Sequence, residues 1–73
     1  MIIDHLRLAE THVAEGEHHV ARQRELVAEL DRDGHDTSQG RRLLLEFEEL
    51  QAMHIADRNR LLRELAEDEK NPS

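Results

Sequence analysis

The sequence predicts an all-α protein, an antiparallel two-helix hairpin that dimerises into a four-helix bundle. Ala, Glu, Lys, Leu and Arg supply 39 of the 73 residues, and one Phe is the only aromatic side chain other than histidine. This composition is typical of long or coiled helices. Two long stretches with helical spacing of apolar residues flank one segment rich in turn-forming residues, DRDGHDTSQG at 31–40. The chain is therefore predicted to reverse once.

The first helix is predicted over residues 4–33, with Asp4 as its N-cap. Its seam residues recur with alternating spacings of three and four, as in a coiled coil. Gly16 belongs to this seam although Gly costs about 1 kcal/mol relative to Ala inside a helix. Either the partner helix uses the space at Gly16, or the glycine is simply tolerated. The predicted seam comprises Ile2, Leu6, Ala9, Val13, Gly16, Val20, Gln23, Val27 and Leu30.

The turn is predicted at residues 34–36 and the second helix at about 37–67, followed by a frayed tail at 68–73. Gly34 suits the left-handed position just past a helix end. Asp36 or Thr37 suits the next N-cap, and Gln39 stands where a capping box requires it if Asp36 is the cap. The predicted apolar stripe of the second helix is Leu43, Phe47, Leu50, His54, Leu61 and Leu65, with Gln51 and Arg58 interspersed.

Surplus apolar residues beside both seams predict the dimer. A two-helix seam requires only the a and d positions of the heptad, and both helices carry a wider apolar face than that. A second hairpin packed on the first would cover this surface. The alternatives are a monomeric hairpin and a larger bundle. The predicted dimer interface is Leu8 and Leu26 of the first helix with Leu44, Ile55 and Leu62 of the second.

Six histidines are the chemically suggestive feature of the chain. His5, His12 and His19 recur every seven residues along one edge of the first seam. Because two helices rise equally per residue, His54 is expected opposite Gly16, with His12, Glu15 and His19 within about one turn. The favoured interpretation is a hydrogen-bonded core histidine. The alternatives are a divalent metal site, with His12, His19, His54 and Glu15 as candidate ligands, and a pH-responsive interface.

The sequence contains no motif typical of an enzyme or of a membrane protein. Cys and Tyr are absent, Thr37 and Ser38 fit helix caps, and neither a catalytic residue nor a cofactor site is predicted. The net charge of −7 argues against nucleic-acid and anionic-membrane surfaces. Neither a signal peptide nor an apolar run of about 18 residues is present, so a cytoplasmic protein is expected.

Two segments of the chain resemble other proteins: residues 12–37 (HVAEGEHHVARQRELVAELDRDGHDT) and residues 43–65 (LLLEFEELQAMHIADRNRLLREL). They resemble a group of short helical-hairpin proteins from alphaproteobacteria, and this resemblance brings no functional assignment with it. In outline the chain is also similar to the Rop-type RNA-binding hairpin dimer. That likeness concerns architecture alone, and it adds structured RNA to the candidate ligands.

Together these observations predict a small acidic, non-enzymatic interaction or regulatory module. It would act as a homodimer and bind a protein partner through its exposed helix faces. A histidine-based metal or pH sensor is the alternative, and a Rop-like RNA binder is a further one.

Overall fold

The structure is a computed structural model, and it describes residues 2–70. Helix α1 spans Ile2–Arg32 and helix α2 spans Ser38–Lys70, and the two pack against each other as a hairpin. Within residues 2–70 no strand is present. The prediction of an all-helical hairpin is confirmed. The Cα trace extends 62 × 14 × 14 Å, so the molecule is a rod two helices wide.

Both helices are longer than the sequence pattern predicts. Asp4 is an acidic residue in the first turn of α1 and not its N-cap, because the helix already begins at Ile2. Ile2 packs on the cluster of Leu6, Ala9 and Leu61, and this burial favours the earlier start. At the other end, residues 68–70 of the predicted tail are helical. Residues 71–73 of that tail lie outside the described residues, as does Met1.

The turn is built on Gly34, which has a φ of +77°. His35 N–H donates to the Leu30 carbonyl at 2.8 Å, and Gly34 N–H donates to the Asp31 carbonyl at 3.2 Å. This pair of bonds is a Schellman motif, which satisfies carbonyls left free at a helix end. The predicted left-handed role of Gly34 is confirmed.

The start of α2 depends on Asp36. Its Oδ1 accepts hydrogen bonds from Ser38 N–H at 2.9 Å and from the Ser38 hydroxyl at 2.7 Å. The Thr37 carbonyl accepts the first intrahelical bond, from Arg41 N–H at 2.9 Å. Thr37 therefore holds the N-cap position, while Asp36 supplies the side-chain oxygen for the orphan donor of the first turn.

The seam predicted for α1 is confirmed. Leu6, Ala9, Val13, Val20, Gln23 and Val27 are its buried residues. Gly16 and Leu30, which complete the pattern, are half-buried.

The expected register between the helices is wrong by three residues. Gly16 faces Gln51 and not His54: a Cβ built on Gly16 would lie 2.6 Å from Gln51 Cδ. Residues 34–37 are not helical. Non-helical residues advance the chain by up to about 3.3 Å each, whereas a helix rises 1.5 Å per residue. The first residue of α2 therefore lies nearer to the N-terminus of α1 than equal rise would place it.

The seam of α2 also differs from the predicted stripe. Leu43 and Leu50 are exposed, whereas Leu44 is half-buried, Gln51 is buried and Arg58 is half-buried. The three-four spacing thus continues through polar residues. At Gln51 it can do so because the facing residue is Gly16, which leaves room for the carboxamide.

Over the described part of the chain, neither helix has an apolar stretch of the length and hydropathy that crossing a membrane requires.

Candidate functional site

An open groove of about 290 Å³ lies between the helices near the middle of the rod. Gly16 lies in its wall, where the Gln51 carboxamide occupies the place of a side chain. The groove brings together the four residues that the sequence offered as candidate metal ligands, three from α1 and one from α2. Its lining is His12, Glu15, Gly16, His19, Phe47, Leu50, Gln51 and His54.

Two ring pairs cross the helix interface in this groove. The ring centroids of His12 and His54 are 5.2 Å apart, with 40° between the ring planes. His19 stacks on Phe47 at 5.8 Å and 22°. His12, His54 and Phe47 are half-buried. The groove therefore holds two imidazoles from different helices side by side, with a third imidazole packed on an aromatic face.

Two glutamines cross-link the seam through backbone carbonyls. Gln51 Nε2 donates to the Val13 carbonyl at 2.9 Å, and Gln23 Nε2 donates to the Gly40 carbonyl at 3.0 Å. Each reaches the opposite helix beside a glycine, where the backbones come close. The Gln51 Oε1 atom is buried and has no hydrogen-bond partner within residues 2–70. Such polar layers specify register but contribute little net stability.

A second, shallower groove of about 210 Å³ adjoins the first at His12. His5, Leu8 and Asp57 are among its lining residues. Arg60 closes its rim with hydrogen bonds to Asp57 and Glu64, both at 2.8 Å. These bonds, the one to Asp57 first, raise the pKa of the Arg60 guanidinium.

Both grooves open on one long side of the hairpin, which we call the histidine face. In each helix, this face consists of the residue just before each a position of the heptad, for example His12 before Val13, and of the residue three positions later in the chain. Leu8, Leu43, Leu50 and Met53 on this face are 55%, 41%, 48% and 67% exposed. The histidine face comprises His5, Leu8, His12, Glu15, His19, Arg22, Leu26 and Glu29 of α1 with Leu43, Glu46, Leu50, Met53, Asp57, Arg60, Glu64 and Glu67 of α2.

The five residues predicted as the dimer interface do not share one surface. Leu8 and the half-buried Leu26 lie on the histidine face, and Leu44 is half-buried in the hairpin's own seam. Ile55 and Leu62 each follow a d position, so they lie on the opposite side, where they are 36% and 42% exposed.

The side opposite the histidine face also carries exposed apolar residues, and it includes Ile3, Glu17, Arg24, Leu45, Glu48, Ile55 and Leu62. Arg24 and Glu48 form an ion pair there at 3.9 Å between the helices. An exposed pair of this length contributes little stability. It places charged groups between the exposed apolar residues of that side, as Glu15, Asp57 and Arg60 do on the histidine face.

Among residues 2–70, no three His, Asp or Glu side chains are gathered closely enough to hold a metal ion. His12 and His54 are the cross-helix pair of imidazoles, and Glu15 and His19 line the same groove without joining them.

Sequence reasoning missed Gly40 and the role of the two glutamines. Gly40 allows close approach: a Cβ there would lie 3.2 Å from Val27 Cγ2. The signal was present in the spacing, because Gln23 and Gln51 occupy seam positions and each faces a glycine of the other helix.

We compared the chain with protein-family models, with curated proteins and with solved structures, and it matches none of them.

Proposed function

We propose that this protein is a small non-enzymatic interaction module that works as a homodimer, a four-helix bundle formed by two hairpins. One observation carries the proposal: a row of exposed leucine and methionine side chains runs along the histidine face of a hairpin that has little core of its own. Large apolar patches of this kind mark surfaces that bind proteins.

The hairpin's own seam supports the need for a partner. Its buried apolar residues are Leu6, Ala9, Val13, Val20, Val27 and Leu61, and within residues 2–70 no large side chain is fully buried. The middle of the seam is polar, with Gln51 and the half-buried His54 and Arg58. A core in a chain of this size supplies only about 3–5 kcal/mol, and association adds stability by covering more apolar surface.

A second copy of the chain fits the histidine face in area and charge. One long side of the Cα trace measures 62 by 14 Å, which leaves room for an interface of standard size. Arg22 and Arg60 on this face can meet acidic groups of the second copy, such as Glu15 and Asp57. The opposite side, with Ile55 and Leu62, would remain open to a protein partner.

The experiment introduces the same charge on each side. Leu50→Glu changes the histidine face and Leu62→Glu changes the opposite side, at 48% and 42% exposed positions. Thermal unfolding of each chain is followed by circular dichroism over a hundredfold range of concentration. We expect the melting temperature of the unmodified chain and of Leu62→Glu to rise with concentration, because a dimer is stabilised by mass action.

For Leu50→Glu we expect no dependence on concentration. If Leu62→Glu is the variant that loses the dependence, the two hairpins meet through Ile55 and Leu62, and the assignment of the histidine face is overturned. If the unmodified chain melts at one temperature throughout, the homodimer itself is overturned.

A further inference from the structure

We propose that His12 and His54 form a zinc site that bridges the two helices. The site takes one Zn²⁺ per chain, with two imidazole ligands from the protein and water in the remaining positions. Both imidazoles belong to the same chain, and the groove that holds them opens on the face proposed for the dimer contact.

The spacing of the two rings matches tetrahedral zinc. Zn–N bonds are about 2.0–2.1 Å long, and a ring nitrogen lies roughly 1.15 Å from the imidazole centroid. Two imidazoles on one tetrahedral ion therefore have centroids about 5.2 Å apart. The centroids of His12 and His54 are 5.2 Å apart. The site requires that the two rings turn about their side-chain bonds to direct a nitrogen of each towards one ion.

The surroundings of the pair favour a cation over an empty groove. Glu15 follows His12 by three residues, so it lies on the same helix face, and its carboxylate lines the same groove. Phe47 and Leu50 form the apolar part of the wall. The negative charge of Glu15 in the same groove attracts a divalent ion.

Imidazole ligands select the class of metal. Nitrogen donors suit Zn²⁺ and similar transition ions, whereas Mg²⁺ and Ca²⁺ prefer oxygen ligands. The imidazoles must be neutral to bind, so zinc affinity should fall as the solution is made acidic. Because the two ligands lie on different helices, zinc would bind the folded hairpin and raise its melting temperature.

The test uses the full chain without an affinity tag, freed of metal by a chelator and titrated with Zn²⁺ in a calorimeter. We expect one Zn²⁺ per chain, and no heat from Mg²⁺ under the same conditions. In nuclear magnetic resonance spectra, the imidazole signals of His12 and His54 should shift together on titration. His12→Gln and His54→Gln should each weaken binding at least tenfold.

Two matched variants complete the test. His35→Gln changes an exposed histidine in the turn and should leave zinc binding unchanged. His18→Gln tests whether zinc instead binds the neighbouring histidines His18 and His19, whose ring centroids are 6.1 Å apart on one helix. If His18→Gln abolishes binding, or if His54→Gln binds zinc as tightly as the unmodified chain while circular dichroism shows it folded, the proposal is overturned. The absence of any stoichiometric binding would overturn it as well.

Discussion

The carboxamide of Gln51 fills the space beside Gly16, where any other residue would place a Cβ. Gln51 Cδ would lie 2.6 Å from such an atom, and its Oε1 would come closer still. In that position Gln51 Nε2 donates to the Val13 carbonyl at 2.9 Å. The absence of a side chain at Gly16 leaves the room in which Gln51 makes its cross-helix hydrogen bond. Together the two residues fix the register of the hairpin.

A double-mutant cycle between these residues tests the register. With Gln51→Ala already present, Gly16→Ala should stabilise the protein by about 1 kcal/mol, because Ala is the better helix former. In the unmodified chain the new methyl group displaces the carboxamide, and the lost hydrogen bond offsets that gain by roughly 0.5–1.5 kcal/mol. The coupling, measured by chemical denaturation, should be about 1 kcal/mol.

Glu49→Ala is the control for this cycle, because Glu49 is exposed on α2 and lies outside the groove. Gly16→Ala and Glu49→Ala should add without coupling. Additive effects for Gly16→Ala and Gln51→Ala would mean that residue 16 does not face residue 51.

Gly34→Ala should destabilise the hairpin by about 1–2 kcal/mol, because Ala must adopt the left-handed conformation that Gly34 holds at φ +77°. Steric contact does not add to this, since no heavy atom lies within 4 Å of a Cβ built there. Gly34→Asn should lose less, because Asn tolerates this conformation. Chemical denaturation measures both, and equal losses would contradict the conformational explanation.

Asp36 should make the hairpin sensitive to acid. The hydrogen bond from the Ser38 hydroxyl, and then that from Ser38 N–H, lower the pKa of the Asp36 carboxyl from its ordinary 3.8. A carboxyl whose pKa is lower in the folded chain stabilises it above the ordinary pKa, and this contribution is lost as the pH falls through the folded value. The advantage of the unmodified chain over Asp36→Asn in melting temperature should therefore shrink below about pH 3.8.

Ser38→Ala separates Asp36 from the other carboxylates that titrate in acid. It removes the hydroxyl, the first cause of the lowered pKa. The effect of Asp36→Asn on the melting temperature is measured as the pH is lowered, in the unmodified chain and in the Ser38→Ala chain. We expect this effect to change less with pH in the Ser38→Ala chain. A change of the same size in both chains would show that Ser38 is not responsible.

The hairpin, its turn and the seam of α1 could be predicted because each rests on local chemistry. Gly34, Asp36 and the three-four spacing from Leu6 to Val27 act over a few residues. The register could not be predicted in the same way, since it depends on how far the non-helical residues 34–37 advance the chain. An error of three residues moved Gly16 from His54 to Gln51.

The site was predicted in part for a related reason. His12, Glu15, His19 and His54 do line one groove, because a displacement of less than one turn keeps them neighbours. The polar seam of α2 was not anticipated. Hydrophobicity placed Leu43 and Leu50 in the core, whereas Gly16 of α1 leaves room for Gln51 and Arg58 is half-buried in the seam.

The central claim, that the chain works as a dimer of hairpins, is tested most directly by its mass in solution. Sedimentation equilibrium of the chain without a tag, at tens of micromolar, should give about 17 kDa, twice the 8.5 kDa of one chain. Its circular dichroism should remain fully helical at that concentration. A mass of 8.5 kDa for the helical protein, unchanged over a hundredfold range of concentration, would contradict the account.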